Sequence, residues 1–324
     1  MAMDKYRDVP PYPVSDDFSS RIRTRMNANL LALAAIALWG TLAWLGVRLA
    51  AMPPFLLVGS ALTIAGLLAS PLWRQWLQLR SAPRVLALGV FGLFGFHFFL
   101  FVALRLAPPL QANLVNYLWP LLMVLLAPLF LTGARLTRWH VLGGALGFAG
   151  AIVAITNGKI SSWETPDPSS AGASGPVVWG YAAALVSAFI WAMYSLMGQR
   201  LRQRGTSFPT AAIGLFCLVS GLFALVCHAM LEAPYRYAAS DAAPLAALAI
   251  GPMGAAFFLW DAALKRGDAR AIGTLAYLTP VISTVLLGLD DPARFGWPIV
   301  IALTFVIGGA AVGTRGGKRV GLSR

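Results

Sequence analysis

Four residues at helical spacing form a polar face within an apolar stretch of the sequence. Asn113, Asn116, Tyr117 and Pro120 lie three, one and three positions apart, so on an α-helix they share one side. Polar groups are costly inside a membrane unless they face a cavity or a partner, and a proline can kink its helix. The pattern therefore predicts a binding face or a moving gate; hydrogen bonding between helices is the alternative.

Two ring side chains near this face could contact a ligand directly. His97 lies in the middle of the preceding apolar stretch. An imidazole there can hydrogen-bond a substrate, change protonation near neutral pH, or bond to a neighbouring helix. Trp119 lies beside the polar face, far from either end of its stretch, and could stack on a flat substrate or pack among helices. We predict that both side chains line a substrate cavity.

Further candidates lie at comparable depth in other apolar stretches. For each of these polar or aromatic side chains, ordinary helix packing is the alternative to cavity lining. The predicted cavity residues are Trp39, Tyr194, Ser195, Trp260, Tyr277 and Thr279, and Pro120 and Pro280 are candidates for gating or coupling.

Asp261 is the only carboxylate within a predicted membrane span. It precedes Lys265 by four residues, a spacing that favours an ion pair along one helix. The other interpretation is a proton or cation site, because ionisable groups at membrane depth mark transport pathways. We therefore name Asp261 as a candidate for gating or coupling.

These residues belong to a chain built almost wholly of apolar segments. Of 324 residues, 58% are hydrophobic and 11% are charged, whereas soluble domains contain roughly 25% charged residues. A membrane-spanning helix needs about 20 apolar residues. An all-α integral membrane protein is predicted, with ten spans at 28–50, 54–72, 85–106, 109–131, 138–156, 176–198, 209–231, 243–264, 270–289 and 296–314.

The basic residues indicate how these spans are oriented. Twenty of the 25 Lys and Arg residues fall in the two tails and in alternate connections, and five fall on the other side. Because cytoplasmic loops are enriched in Lys and Arg, we predict that both termini are cytoplasmic. The net charge of +13 then reflects topology, and no nucleic-acid partner is expected.

The two halves of the chain resemble each other. Phe98-Phe99-Leu100-Phe101 matches Phe257-Phe258-Leu259-Trp260 at an offset of 159, and Tyr117-Leu118-Trp119-Pro120 matches Tyr277-Leu278-Thr279-Pro280 at 160. Each half has five spans, so the second copy must cross the membrane in the opposite sense, as in transporters with a central site. The predicted regions are a disordered tail (1–27), a first repeat (28–156), an extracytoplasmic loop (157–175), a second repeat (176–314) and a basic tail (315–324).

With ten spans, inverted five-helix repeats and a Tyr-x-x-Pro element in the fourth span of each half, the chain resembles the EamA-type carriers of the drug/metabolite transporter superfamily. Within that family, His97 and the stretch Asn116 to Pro120 resemble bacterial exporters of aromatic amino acids. The resemblance implies export of aromatic amino acids, and of other neutral ones, across the bacterial inner membrane. Many members have a Glu at the end of the fourth span, where this chain has residues 132–137 without one.

The leading hypothesis is therefore an alternating-access exporter of amino acids, working by facilitated diffusion because buried carboxylates are scarce. The alternative is a multidrug or other small-metabolite exporter, with proton coupling left open. An enzyme is not expected: Gly172-Ala173-Ser174-Gly175 resembles a serine-protease element but lies in a predicted loop, and the three histidines lie on different spans. We predict no cofactor and no metal. A monomer and a homodimer both remain open.

Overall fold

The computed structural model describes residues 17–77, 79, 82–156, 158, 174–206, 208–290 and 296–318, and every regular element within these ranges is helical. The α-helices are α1 (Asp17–Gly40), α2 (Leu42–Arg48), α3 (Pro54–Leu68), α4 (Trp73–Trp76), α5 (Pro83–Val90), α6 (Phe96–Leu106), α7 (Pro109–Asn116), α8 (Trp119–Phe130), α9 (Arg138–Thr156), α10 (Ser174–Gln203), α11 (Ala212–Leu231), α12 (Ala242–Ile250), α13 (Ala256–Arg266), α14 (Ala269–Leu275), α15 (Leu278–Asp290) and α16 (Trp297–Lys318).

Eight helical stretches among the described residues are long and apolar enough to cross a membrane. They coincide with the first and the third to ninth predicted spans: Asn27–Arg48, Pro83–Leu106, Pro109–Phe130, Arg138–Thr156, Val177–Gln203, Ala212–Leu231, Ala239–Arg266 and Ala269–Asp290. The predicted all-helical membrane protein is thus confirmed.

The other two predicted spans have a different form. The second corresponds to Pro54–Leu68 and Ser70–Trp76, which meet at an angle of 52° and give a ninth span if they are counted together. The tenth corresponds to Trp297–Gly313, which is apolar but shorter. The total of ten spans and the side on which the termini lie remain predictions.

The region bounds differ from the prediction at the amino-terminal end. Helix α1 begins at Asp17, so residues 17–27, which we predicted to belong to the disordered tail, are helical. The rest of that tail, most of the predicted loop 157–175 and the end of the basic tail lie outside the described residues.

The third and eighth spans share an unusual irregularity. A π-helical segment, Phe91–Gly95, joins α5 to α6, and another, Gly251–Ala255, joins α12 to α13. Each is five residues long and they begin 160 residues apart, as do α6 and α13. The third and eighth spans are therefore related by a structural offset of 160. The sequence match at an offset of 159 is displaced from it by one residue.

The fourth and ninth spans are both interrupted beside their prolines. Two residues separate α7 from α8, and two separate α14 from α15. Pro120 and Pro280 lie in the first turns of α8 and α15. Because proline has no N–H, each leaves the carbonyl four residues earlier without its helical hydrogen bond. The two prolines named as gating or coupling candidates thus lie just after breaks in their helices.

Helices α9 and α16 pack closely through glycine. A Cβ atom added at Gly143 would lie 2.6 Å from the carbonyl oxygen of Gly309 and 2.8 Å from the Cα of Gly313. Side chains at these positions would keep the backbones apart, so the glycines set the distance between the last spans of the two repeats.

Candidate substrate cavity

A cavity of about 510 Å³ lies between the two repeats. Its wall is formed by parts of α1, α2, α3, α6, α7, α10 and α15, together with the start of α8, the end of α9 and residues in or near the two π-helical segments. The volume falls within the usual range for small-molecule sites. None of the described residues that line it is Asp, Glu, Lys or Arg, so the wall carries no formal charge apart from any protonation of His97.

The cavity runs toward one end of the helical bundle. Along α6 the lining extends from Phe96 to Leu104, and along α15 it extends from Thr279 to Leu287. Both series lead toward the end where Arg48 pairs with Asp290 at 3.1 Å, which we call the Arg48 end. The opposite end, where Lys265 pairs with Asp261 at 2.6 Å, we call the Lys265 end.

Polar groups from both repeats meet on the cavity wall. Asn113, Asn116 and Tyr117 contribute from α7 and the break after it, and Thr279 contributes from α15. Within the described part of the chain, Asn116 Oδ1 and Thr279 Oγ1 are buried without a hydrogen-bond partner. Because buried polar atoms are nearly always paired, both are suited to hydrogen-bond a polar group of a ligand.

His97 presents one defined ring nitrogen to the cavity. Its Nδ1 lies 2.7 Å from the carbonyl oxygen of Leu93, in the π-helical segment. A carbonyl can only accept, so Nδ1 carries a proton and donates it. In a neutral imidazole Nε2 is then an acceptor, on a side chain that lines the cavity. The second-repeat position 160 residues later is Phe257, so this histidine belongs to one repeat only.

Four indole rings close the cavity toward the Lys265 end, and we call them the tryptophan cluster (Trp39, Trp119, Trp191 and Trp260). The ring centroid of Trp39 lies 5.0 Å from that of Trp260, 5.7 Å from that of Trp191 and 6.4 Å from that of Trp119. Most of these contacts are edge-to-face, an arrangement that aromatic rings prefer. The first three rings line the cavity, whereas Trp260 is fully buried behind them.

Two hydrogen bonds fix the orientation of the tryptophan cluster. Trp39 Nε1 donates to the carbonyl oxygen of Pro252 at 3.1 Å, in the second π-helical segment. Trp260 Nε1 donates to Ser195 Oγ at 3.2 Å. Buried indole N–H groups usually need such partners. The rings are therefore held by α10 and by the irregular part of the eighth span, not by packing alone.

Four predicted residues lie on the far side of this cluster. Tyr194, Ser195, Trp260 and Asp261 line a second, much smaller space at the Lys265 end. Asp261 Oδ2 accepts hydrogen bonds from Lys265 Nζ at 2.6 Å and from Thr210 Oγ1 at 2.7 Å. The ion-pair interpretation of Asp261 thus describes its position in this structure.

Two predicted residues lie away from both spaces. Tyr277 is fully buried against α9, where a Cβ added at Gly147 would lie 2.4 Å from its ring. Its first-repeat counterpart, Tyr117, does line the cavity. Pro120 is buried in the first turn of α8, while Pro280 lines the cavity. The sequence could not distinguish these members of each pair, because the repeats occupy different conformations.

Several cavity residues were not among the predicted set. Phe96, Phe101, Trp191 and Phe257 add apolar rings to the wall. A signal for Trp191 was present, since Leu38-Trp39-Gly40 in the first span of the first repeat matches Ile190-Trp191-Ala192 in the first span of the second. For the phenylalanines the signal was weak, because Phe is common throughout the third span and any face of that helix could have been the inner one.

The sequence was then compared with known proteins. A family model described as the EamA-like transporter family matches residues 26–156 and again residues 178–314. The chain belongs to the EamA-like transporter family. The two matched stretches have nearly the bounds of the two predicted repeats, and membership makes the protein a membrane transporter rather than an enzyme.

Named members of the EamA-like family are similar over nearly the whole chain. A protein of Ancylobacter novellus named aromatic amino acid exporter YddG is 40% identical over 295 residues, covering 90% of this chain and 98% of that protein. The protein of the same name from Escherichia coli is 27% identical, covering 85% and 92%. A solved crystal structure with 39% identity has a TM-score of 0.81 and covers 91% of this chain and 99% of its own.

Proposed function

We propose that this protein exports aromatic amino acids, and other neutral amino acids less well, from the bacterial cytoplasm by alternating access and facilitated diffusion. One observation carries the proposal: an uncharged cavity in which aromatic rings lie beside unpaired polar atoms. A zwitterion with a flat apolar side chain matches such a wall, since the ring can stack on indole and the ammonium group can donate to Asn116 Oδ1. The names of the similar exporters agree with this substrate class.

The Lys and Arg distribution and the packing of the tryptophan cluster support a proposal for the side of the membrane to which the cavity opens. The Lys and Arg distribution supports a cytoplasmic position for the Lys265 end. The cavity extends toward the opposite end, and the tryptophan cluster closes it toward the Lys265 end. In our proposal this is the state from which substrate leaves, and rearrangement of the two repeats exposes the site to the other side.

A multidrug function is less well supported by the same wall. Exporters of cationic compounds use buried carboxylates to attract positive charge, and none of the described cavity residues is acidic. The experiment below includes a cationic dye, so that this alternative gives a distinct result.

The test is exchange in liposomes that contain the purified protein. Vesicles loaded with unlabelled phenylalanine should take up labelled phenylalanine, and vesicles loaded with threonine or with nothing should take up much less. Transport of a cationic dye by the same vesicles, without phenylalanine exchange, would support the multidrug alternative. Absence of both would contradict the proposed function.

A matched pair of variants tests the cavity itself. Trp119→Ala removes a ring that lines the cavity and should reduce phenylalanine exchange by about tenfold or more, because stacking and ring burial contribute roughly 1–2 kcal/mol. Trp179→Ala removes the same side chain from a position on α10 that is 71% exposed, and should leave exchange unchanged. Equal losses in both variants would contradict the assigned wall.

A further inference from the structure

The small space at the Lys265 end has room for little more than one water molecule. It measures about 10 Å³, close to the lower limit for holding a water. It lies behind Trp260, which separates it from the large cavity. The role of this space is indicated by the positions of its lining residues in the repeat and not by its present size.

The wall of the small space is the repeat image of the wall of the large cavity. Six of its nine lining residues correspond to residues that line the large cavity, when the first spans are matched through Trp39 and Trp191 and the third spans through the offset of 160. Among these pairs are Leu42 with Tyr194, Ala43 with Ser195 and Phe101 with Asp261. In an inverted repeat, the halves exchange conformations when the site changes sides. The small space is therefore the counterpart of the large cavity in the other half of the molecule, and it is closed in this state.

Three of the six matched pairs differ in polarity between the two walls. Leu42, Ala43 and Phe101 are apolar, whereas their counterparts Tyr194, Ser195 and Asp261 are polar or charged. The same wall includes Gln199, whose Oε1 atom is buried without a hydrogen-bond partner among the described residues, although its Nε2 atom donates to the carbonyl of Gly267 at 2.7 Å. An unpaired buried acceptor and a charged pair are unusual in a region that serves only to pack.

Both charged residues bond to the segment that borders the small space, and Thr210 Oγ1 donates to Asp261 Oδ2 at 2.7 Å. Lys265 Nζ donates to Asp261 Oδ2 at 2.6 Å, and also to the carbonyl oxygen of Phe208 at 2.7 Å and to Thr210 Oγ1 at 3.1 Å. The end of α13 is thereby tied to the segment that leads into α11. Because Asp261 and Lys265 lie four residues apart on α13, separating α13 from that segment would break the bonds to Phe208 and Thr210 and would leave both charged groups facing a widened cavity.

We propose that this space is the collapsed form of a cavity open to the cytoplasm, and that Asp261 and Lys265 form there a binding site for the charged head of an α-amino acid. Asp261 receives the substrate ammonium group, and Lys265 and Ser195 donate to its carboxylate. In the closed state the two side chains satisfy each other. The assignment of the ligand rests on the proposed function.

The consequence is a difference between the two faces of the carrier. The cytoplasmic site offers formal charges to both ends of the zwitterion, while the site on the other side offers only neutral groups. Because hydrogen bonds to charged groups are about twice as strong as neutral ones, the substrate binds more tightly on the cytoplasmic face. A facilitative carrier cannot change the equilibrium, so this asymmetry sets the concentration at which each face loads.

Cysteine labelling tests the collapsed cavity without any substrate. Cys217 and Cys227 are replaced by Ala, and Ser195→Cys is added. A membrane-impermeant thiol reagent applied at the cytoplasmic face should label this variant, and applied at the other face it should not. Ala43→Cys, at the matching position of the first repeat, should show the reverse preference. A Ser195→Cys variant that resists labelling from the cytoplasmic face while Ala43→Cys reacts would overturn the proposal.

Half-saturation measured separately at the two faces tests the charged site. Asp261→Asn should raise the half-saturating phenylalanine concentration at the cytoplasmic face about tenfold, the change expected from one lost hydrogen bond to a charged group, and leave it unchanged at the other face. Asp290→Asn, which removes the carboxylate of the Arg48 pair, should not change the cytoplasmic value.

The outcomes separate the two proposals. If the unaltered protein does not exchange phenylalanine, the proposed function is wrong. The labelling experiment still tests whether the small space opens to the cytoplasmic face. If exchange is normal and Asp261→Asn lowers only the maximal rate, equally from both faces, then the pair is a latch and not a binding site. The double variant Asp261→Asn with Lys265→Met removes both charges, so no lone buried charge remains to unfold the protein, and it should show the same rise at the cytoplasmic face.

Discussion

The tautomer of His97 is set by a hydrogen bond within its own membrane span. Its Nδ1 proton is used by the Leu93 carbonyl one turn earlier, where a π-helical segment loosens the regular pattern of backbone bonds. This arrangement selects one tautomer without a partner from another helix. The residue type and depth were predictable from the sequence, but the tautomer depends on an irregularity that leaves no mark in composition.

A substitution at His97 should therefore affect transport more than folding. His97→Ala removes the Nε2 acceptor and should reduce phenylalanine exchange by about tenfold, since one hydrogen bond to a charged ammonium contributes roughly 1.5–3 kcal/mol. The melting temperature in detergent should stay close to that of the unaltered protein, because the Nδ1 bond is local. A variant that melts much earlier, with exchange reduced only in proportion to the folded fraction, would show that His97 is structural.

At the scale of helices, the prolines and the glycines were the residues from which most of the local structure could be predicted. Pro120 and Pro280 predicted the breaks that the fourth and ninth spans contain, because the missing N–H acts locally. The π-helical segments were not predicted, since they arise from how α5, α6, α12 and α13 pack in three dimensions. The choice between Tyr117 and Tyr277 as cavity residues was also beyond sequence reasoning, because it depends on which repeat is open.

The contact between α9 and α16 gives a prediction at this scale. A Cβ at Gly309 would lie 2.6 Å from the carbonyl oxygen of Gly143 and 2.9 Å from the backbone nitrogen of Gly147. Gly309→Ala should destabilise the protein by about 1–3 kcal/mol, because backbone atoms must move apart. Gly308→Ala is the matched control, since a Cβ there meets nothing within 4 Å. Thermal unfolding in detergent measures both, and equal melting temperatures would contradict the close packing.

The whole molecule is organised by the relation between its repeats. From the sequence, the repeat and its inversion could be inferred through the odd number of spans per half. The asymmetry between a wide cavity on one side and a closed space on the other could not, because it depends on the conformation that each repeat adopts. Only the arrangement in three dimensions shows which half is open.

Topology can be tested directly at this scale. The Lys and Arg distribution predicts that both termini lie in the cytoplasm. Reporter fusions at residue 1 and residue 324 that are active only in the cytoplasm should both be active, and a fusion in the predicted loop 157–175 should not. Opposite results at the two termini would require an odd number of spans and would contradict the inverted arrangement.

The energy source is a further property of the molecule as a whole. Because none of the described cavity residues is acidic, phenylalanine exchange should not respond to a pH gradient across the vesicle membrane. The measurement compares initial rates with and without a gradient at constant internal pH. Stimulation by the gradient would indicate proton coupling, and the variants at His97 and Asp261 would then locate it.

The tryptophan cluster has an optical consequence. Indole rings whose centres are 5.0 to 6.4 Å apart are close enough for their electronic transitions to couple, which produces a paired positive and negative band in the far-ultraviolet circular dichroism. Any rearrangement that opens the path between the two spaces must separate these rings and weaken that signal. The circular dichroism signal of the tryptophan cluster therefore reports on this rearrangement without any added label. It can be followed when substrate is added to the purified protein.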